Sequence, residues 1–301
     1  MATGGSTPAA AGAAGTTSGG AAGGVNSGSG GDSPGGASGA GGGGGFGGAS
    51  GGVGGAGGSA GDPNVGGANA GKQTARPINQ PYAKNGFWEY LPPHYGNGFK
   101  RPLLVFWAGV GENGDGSANG LKVIIDRHGP PKLIAQNQWP SARPFIVLSP
   151  QHGTQTDRPS PDEVHDFLTF AIQSYDVDPE RVYLTGLSSG ARGSWGYLGK
   201  YKGEQVAAAV LIAGDSRVAY DAGGCEVVKQ VPLWTFHGEN DNEVPFGDDT
   251  VGMNNFKACP QPREEVIYTT YPGVGHVESW PRTYDLSAGH DIYAWMLGKK
   301  R

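Results

Sequence analysis

The chain lacks a hydrophobic run that approaches the roughly 20 residues of a membrane-spanning helix. Its first 20 residues have neither a basic start nor an apolar centre, so they do not read as a signal peptide. Long runs of one charge are also missing, since the formal net charge is −5 and the basic tail Lys299-Lys300-Arg301 is short. The sequence therefore predicts no membrane span, and nothing in it indicates nucleic acid or an anionic membrane as a partner.

Residues 1–75 have almost no charged or large apolar side chains, and Asp32 and Asp62 are the only charged residues before Lys72. Such a segment cannot bury enough apolar surface to offset the entropy lost on ordering, so we expect a disordered Gly/Ala/Ser-rich linker. The absence of a Gly-X-Y period excludes collagen. Residues 76–301 have ample apolar and aromatic residues, which predicts one folded domain with a substantial core.

Cysteine is scarce, and the pair Cys225 and Cys259 leaves two alternatives open: a disulfide in an oxidising compartment, or two separate buried thiols. A long Gly/Ala/Ser segment at the start is typical of the region that follows an export or lipid-attachment signal. We therefore expect a secreted protein, or one tethered to the cell surface through this linker, in which Met1 replaces a removed leader.

Short apolar runs rich in Val, Leu and Ile predict strands of a sheet that is buried on both faces. Ser160-Pro161-Asp162-Glu163 predicts the start of a helix, because it combines a capping box with proline at the first helical position. Strands that alternate with helices predict a mostly parallel sheet with helices on both faces, and sites in such sheets form at the carboxyl ends of the strands. The predicted strands are 87–91, 103–107, 145–148, 182–184, 207–212, 233–236 and 266–271.

The pentapeptide Gly186-Leu187-Ser188-Ser189-Gly190 follows one of these strands and precedes a helix-compatible stretch, residues 191–201. This is the strand, sharp turn and helix of a nucleophile elbow, in which small flanking residues make room for a strained serine. A G-x-S-x-G string alone is a weak signal in a chain so rich in Gly and Ser, and an ordinary turn serine is the alternative. Two further elements in the required order favour Ser188 as a nucleophile.

A serine nucleophile requires a base, and the base requires an acid. His276 lies in a loop directly after the last predicted strand, and Asp241 follows the strand before it, which gives the order Ser, Asp, His. Glu239 and Glu243 are alternative acids in the same loop. His237 ends its strand, and we expect it to be a structural residue that is hydrogen-bonded near the acid.

The tetrahedral oxyanion of acyl transfer requires two amide donors. The backbone N–H of Ser189 is one candidate, and the N–H of Val110 is the other, in a Gly-rich loop that we call the oxyanion loop (residues 108–114). A phosphate-binding loop is the alternative reading, but the Gly-Lys-[Ser/Thr] ending of a P-loop is missing. This chemistry requires no metal and no cofactor.

The chain from about Trp88 to its end resembles the α/β-hydrolases, in the group that contains polyhydroxybutyrate-depolymerase-like, feruloyl-esterase-like and predicted-peptidase-like carboxylesterases. The matching strings are residues 178–188, 237–245, and 275–276 with Trp280 soon after. The resemblance implies an α/β-hydrolase fold with Ser188 as nucleophile, Asp241 as acid and His276 as base. The group usually has His-Gly in the oxyanion loop, where this chain has Ala108-Gly109.

Between Ser188 and Asp241 there is chain enough for a helix, a strand, a helix-sized connection and a further strand, so we expect an open site with no cap domain. These features predict a serine carboxylesterase that forms an acyl-enzyme with a small-molecule or polymeric ester. Acyl or feruloyl groups on polysaccharide, or a polyester, are the candidate substrates. A peptidase of prolyl-oligopeptidase type and a non-catalytic surface binding module are the alternatives. Four tryptophans are candidate walls of the site, with the core as the alternative above all for Trp195: Trp107, Trp139, Trp195 and Trp280.

Overall fold

The computed structural model describes residues 69–76, 78 and 82–301, in which strands and helices alternate. The strands are β1 (Gln73–Arg76), β2 (Phe87–Tyr90), β3 (Arg101–Trp107), β4 (Ile146–Pro150), β5 (Val177–Leu187), β6 (Ala208–Ile212), β7 (Leu233–Gly238) and β8 (Ile267–Tyr271). The helices are α1 (Ala118–Arg127), α2 (Gly129–Ala135), α3 (Pro161–Ser174), α4 (Ser189–Tyr201), α5 (Arg217–Gly223), α6 (Glu226–Gln230), α7 (Phe246–Lys257), α8 (Ser279–Tyr284) and α9 (Ile292–Leu297).

The strands form one eight-stranded sheet in the order β1-β2-β4-β3-β5-β6-β7-β8. The six strands from β4 to β8 in this order pair in parallel. Strand β2 pairs antiparallel with β4, and β1 pairs antiparallel with β2. The predicted mostly parallel sheet is confirmed. Each of the seven predicted strands is present within a residue or two of its expected bounds, except that β5 begins five residues earlier and ends three residues later.

The sheet is buried on both faces, as the continuous apolar runs predict. In β3, Leu103, Val105 and Trp107 pack with α3, α4 and α7 on one face, while Leu104 and Phe106 pack with α2, α8 and α9 on the other. This alternation follows from the two-residue period of a strand. Helix α3 begins as predicted, since the Ser160 hydroxyl accepts a hydrogen bond from the Glu163 N–H at 3.1 Å.

Strand β1 corrects the predicted boundary of the linker. Residues 73–76 pair with β2, and the buried Arg76 guanidinium binds the Glu89 carboxylate at 2.8 Å, which places them in the folded domain. The prediction of a linker over 1–75 is therefore wrong for residues 73–75. Just before them, Ala70 forms a bridge with Leu91, and the Gly71 N–H donates to the Leu91 carbonyl oxygen at 2.8 Å. Residues 1–68, which make up most of the predicted linker, lie outside the described residues.

The two cysteines form a disulfide between Cys225, at the start of α6, and Cys259, just beyond α7. Of the two alternatives left open by the sequence, the structure has the disulfide. Closing a loop of 34 residues stabilises a fold by about 4 kcal/mol in the chain-entropy account.

The chain between Ser188 and Asp241 forms α4, β6, α5, α6 and β7, with no inserted domain. The carboxyl ends of β5, β7 and β8, which carry or precede the three candidate catalytic residues, therefore meet at one edge of the sheet. None of the helices in the described part of the chain is both long enough and apolar enough to cross a membrane.

Candidate active site

Ser188 occupies the sharp turn between β5 and α4 with φ 51° and ψ −122°, a left-handed conformation that is strained for a residue with a side chain. A Cβ added to Gly190 would lie 2.1 Å from the Trp107 carbonyl oxygen, and one added to Gly186 would lie 2.9 Å from the Gly190 carbonyl carbon. Both contacts are too short for a side chain. The glycines of the motif therefore have the steric role expected of a nucleophile elbow.

The structure brings Ser188, His276 and Asp241 together in one hydrogen-bonded chain. Ser188 Oγ lies 2.8 Å from His276 Nε2, and His276 Nδ1 lies 2.6 Å from Asp241 Oδ2. All three residues are buried, with 7%, 6% and 4% of their surfaces exposed. In this arrangement the Nδ1–H of neutral His276 donates to the carboxylate, which leaves Nε2 free to accept the serine proton.

Asp241 is held by donors on both of its oxygens. Its Oδ1 accepts hydrogen bonds from the backbone N–H groups of Glu243 and Val244, both at 2.9 Å, while Oδ2 faces His276 and lies 3.1 Å from His237 Nε2. Burial acts to raise the pKa of Asp241, but the hydrogen bonds from His237 and His276 outweigh it and hold the pKa well below its usual range. Asp241 is therefore an anion fixed in its orientation toward the base.

His237 is the penultimate residue of β7, and it contacts acceptors at both ring nitrogens. Its Nδ1 lies 2.9 Å from Asp249 Oδ2, and its Nε2 lies 2.9 Å from the Val244 carbonyl oxygen and 3.1 Å from Asp241 Oδ2. Burial acts to lower the pKa of His237, but its bonds to Asp241 and Asp249 raise the pKa to about 9. Since carboxylates and carbonyls accept only, both nitrogens carry protons and the ring is an imidazolium at neutral pH.

The structural role predicted for His237 is therefore present, and the structure adds its partner. Asp249 lies in the first turn of α7, where its Oδ1 also accepts from the Ser216 N–H at 2.9 Å. No sequence pattern marks Asp249, because it stands 12 residues from His237 on a different element and no spacing rule links the two.

The predicted oxyanion donors lie at the starts of two helical turns. Ser189 is the first residue of α4, and Val110 is the first residue of a 3-10 turn, Val110–Glu112. The first N–H groups of such turns have no acceptor within the turn. A Cβ added to Gly109 would lie 3.6 Å from Ser188 Cβ, which places the oxyanion loop directly beside Ser188.

Glu112, in the same loop, carries a buried carboxyl group that the sequence did not single out. Its Oε1 makes no hydrogen bond among the described residues. Its Oε2 would lie 3.2 Å from a Cβ added to Gly109. Burial raises the pKa of Glu112 to about 7, against the charge of Arg127 and nearby backbone N–H groups, which lower it. A charged residue in a glycine-rich loop after a buried strand is a sequence signal that would have marked it.

Trp280 lies between two imidazoles. Its ring meets the His276 ring edge to face at 4.9 Å and the His128 ring at 4.8 Å. Burial, together with Lys132 and Arg127, lowers the pKa of His128 to about 4. His128 is therefore neutral and supports the indole that packs on the His276 ring.

The four tryptophans considered as walls of the site are all buried, with at most 8% exposed. Trp139 packs against Phe145 and Tyr293, and Trp195 stacks on Phe256. Trp107 lies in the same core cluster as Trp195. Trp107, Trp139 and Trp195 therefore belong to the core, the alternative that the sequence left open above all for Trp195. The Trp280 ring contacts His276.

Among the described residues, no group of three His, Cys, Asp or Glu side chains is arranged to hold a metal ion. The site instead offers a serine hydroxyl with an acceptor for its proton, a fixed anion behind that acceptor, and amide groups beside the serine. This arrangement can carry out nucleophilic acyl transfer.

Comparison with known proteins gives structural neighbours and no sequence family. No family model and no curated protein matches the sequence. A thermostable esterase of known crystal structure is 25% identical over 76% of this chain, with a TM-score of 0.58, and the chain spans 63% of the length of that esterase. The native esterase 2 of the Planctomycetes species Thermogutta terrifontis is 16% identical over 73% of this chain and 88% of its own, with a TM-score of 0.48. The sheet order and the first of these likenesses confirm the α/β-hydrolase fold.

Proposed function

We propose that this α/β-hydrolase is a serine carboxylesterase that works through an acyl-enzyme. The observation that carries the proposal is the hydrogen-bonded chain from Ser188 Oγ to His276 Nε2, at 2.8 Å, and from His276 Nδ1 to Asp241 Oδ2, at 2.6 Å. The likeness to a thermostable esterase supports an ester as the substrate.

The chemistry follows from this geometry. Ser188 Oγ attacks the ester carbonyl carbon while its proton passes to His276 Nε2, and Asp241 stabilises the imidazolium that forms. The backbone N–H groups of Ser189 and Val110 donate to the oxyanion. The alcohol then leaves with the proton from Nε2, and a water molecule, activated by the same nitrogen, releases the acid from Ser188.

The site has no inserted cap in the described chain, which favours a bulky ester. We therefore keep acyl or feruloyl groups on polysaccharide, or a polyester, as the proposed natural substrates. The disulfide between Cys225 and Cys259 supports a location in an oxidising compartment, in line with a secreted or surface-tethered protein.

The test compares wild type with Ser188→Ala on p-nitrophenyl acetate to octanoate, methyl ferulate, acetylated xylan, a polyhydroxyalkanoate film and a prolyl peptide. We expect wild type to hydrolyse esters. We expect kcat to be lower in Ser188→Ala by on the order of 10⁵- to 10⁶-fold. Ser194→Ala is the matched control, because Ser194 lies on the same helix, is fully buried and bonds the Gly190 carbonyl oxygen.

A fluorophosphonate probe gives an independent readout. Mass spectrometry should find the adduct on the peptide that contains Ser188 and lose it in Ser188→Ala. Cleavage of the peptide in preference to the esters would favour the peptidase. Inertness toward every substrate and toward the probe would favour the binding module.

A further inference from the structure

Glu243 places a carboxylate on the open side of the catalytic base. Its Oε2 lies 4.0 Å from His276 Nε2, the same nitrogen that bonds Ser188 Oγ at 2.8 Å, and 72% of its side chain is exposed. The sequence offered Glu243 as an alternative acid, but the acid position at Nδ1 is filled by Asp241. Glu243 thus faces the nitrogen at which bonds to substrate change.

The main chain at Glu243 is fixed by the triad itself. Its N–H donates to Asp241 Oδ1 at 2.9 Å, and the next residue, Val244, is buried and bonds both Asp241 and His237. The Glu243 carboxylate makes no hydrogen bond among the described residues. A fixed backbone that carries an exposed carboxylate 4.0 Å from Nε2 has the properties of a substrate-binding group.

The position relative to Nε2 identifies which part of the substrate this group meets. In the proposed reaction, Nε2 returns its proton to the oxygen of the leaving alcohol, so the alcohol must lie within hydrogen-bond reach of Nε2. An exposed oxygen 4.0 Å from that nitrogen lies beside the alcohol rather than in the acyl site. We infer that Glu243 forms a subsite for the leaving alcohol and favours an alcohol with a second hydroxyl, such as a polyol or a sugar.

The choice of a hydroxyl over a cation rests on magnitudes. An ion pair as exposed as this one is worth less than about fivefold in affinity. A neutral hydroxyl that donates to a carboxylate forms a charge-assisted bond without the cost of desolvating a second charge. A leaving alcohol with its own negative charge would meet like-charge repulsion.

The inference rests on the proposed function, and its test uses a matched pair of esters: 2-hydroxyethyl acetate and propyl acetate. The two have alcohols of nearly equal size and give the same acetyl-enzyme, so their ratio of kcat/KM reports the leaving-alcohol site. We expect this ratio to fall by about three- to tenfold in Glu243→Met, which keeps length and removes both charge and acceptor. Glu243→Gln keeps one acceptor oxygen, so its ester ratio should lie between those of wild type and Glu243→Met.

Glu239→Gln is the matched control, because it removes one negative charge from the same loop. The Glu239 carboxylate accepts a hydrogen bond from Thr270 Oγ1 at 2.8 Å. Its ester ratio should equal that of wild type.

Transfer of the acetyl group in the reverse direction gives a second readout. With p-nitrophenyl acetate as donor, ethylene glycol or propan-1-ol competes with water for the acetyl-enzyme. The alcohol oxygen bonds the acetyl carbon, the bond to Ser188 Oγ breaks, and the alcohol proton passes through His276 to Ser188. The preference for ethylene glycol should fall in Glu243→Met by the same factor as the ester ratio.

The outcomes separate the two proposals. Wild type that fails to hydrolyse p-nitrophenyl acetate, or Ser188→Ala that still does so, would refute the proposed function. Normal hydrolysis with ratios that stay unchanged in Glu243→Met would overturn the subsite. An equal loss on both esters would overturn it as well, whatever the fall in absolute rate.

Discussion

Two buried carboxyl groups flank the nucleophile from opposite sides, and the protein treats them in opposite ways. Asp241, in the acid loop (residues 238–245), has donors on both oxygens and is an anion. Glu112, in the oxyanion loop, has one oxygen without a hydrogen bond among the described residues, and burial raises its pKa to about 7. Hydrogen-bond donors, more than burial, therefore decide the charge of a carboxyl group at this site.

Asp241→Asn has the largest expected effect, because it removes the anion from the acid loop and so removes the difference in charge between the two carboxyl groups. We expect kcat on p-nitrophenyl acetate to fall by about 10³- to 10⁴-fold, since the amide does not hold His276 in the tautomer that accepts at Nε2. The measurement is kcat at saturating substrate, with the melting temperature as a check on folding. A loss below tenfold would remove Asp241 from the proposed triad.

Val110→Pro tests the other loop at its backbone. Proline fits the first residue of the 3-10 turn, and Gly109 before it is extended, with φ −79° and ψ 175°, as a residue before proline should be. The change removes one N–H, so we expect kcat to fall by about 10²- to 10³-fold. Val110→Ala keeps the N–H and should retain near wild-type kcat. Equal activity of the two variants would rule out this donor.

His237→Gln tests how far hydrogen-bond donors stabilise the Asp241 anion, because it removes the imidazolium that lies 3.1 Å from Asp241 Oδ2. The pKa of His237 is raised in the fold from 6.5 to about 9, so the folded protein keeps a proton that the unfolded chain releases as pH rises. Its stabilisation, about 3 kcal/mol, is complete below about pH 6.5 and lost as pH passes 9. Urea unfolding from pH 6 to pH 10 should show this alkaline decline in wild type. A decline of the same size in His237→Gln would contradict the prediction.

Glu112→Gln has the smallest expected effect. A carboxyl whose pKa is raised from 4.5 to about 7 keeps its proton in the fold while the unfolded chain ionises, so stability falls as pH rises through this window. From pH 5 to pH 7 the free energy of unfolding of wild type should fall by about 2 kcal/mol because of Glu112, and this fall should be absent in Glu112→Gln. Urea unfolding of the two proteins at pH 5 and pH 7 measures the difference. A parallel pH dependence would mean that Glu112 is ionised in the fold.

The sequence predicts the sheet well where burial is local and continuous, as in Leu103–Trp107. It also predicts which residues meet at the elbow, because a strand, two glycines and a helix in succession leave one place for Ser188. It misses β1, whose residues Gln-Thr-Ala-Arg carry no apolar pattern and join the sheet through β2 and the Arg76–Glu89 ion pair.

The polar part of the site follows the same division. The order of Ser188, Asp241 and His276 can be predicted from the sequence, because each lies in the turn or loop that follows a parallel strand. The contact of His237 with Asp249 depends on how α7 packs against β7, and the contact of Glu243 with His276 depends on how two loops meet at the carboxyl ends of the strands. No local pattern encodes those contacts, since each joins side chains from separate elements.

Strand β1 lies four places from the nucleophile strand in the sheet, about 19 Å away at the usual spacing between strands. Two antiparallel pairings in succession make β1 run in the same direction as β5. Its first residue, Gln73, therefore lies at the amino ends of the parallel strands, whereas Ser188 lies at their carboxyl ends. A group joined ahead of Gln73 would attach on the far side of the sheet. Immobilisation on a resin through that end should leave the catalytic edge open to an insoluble polymer.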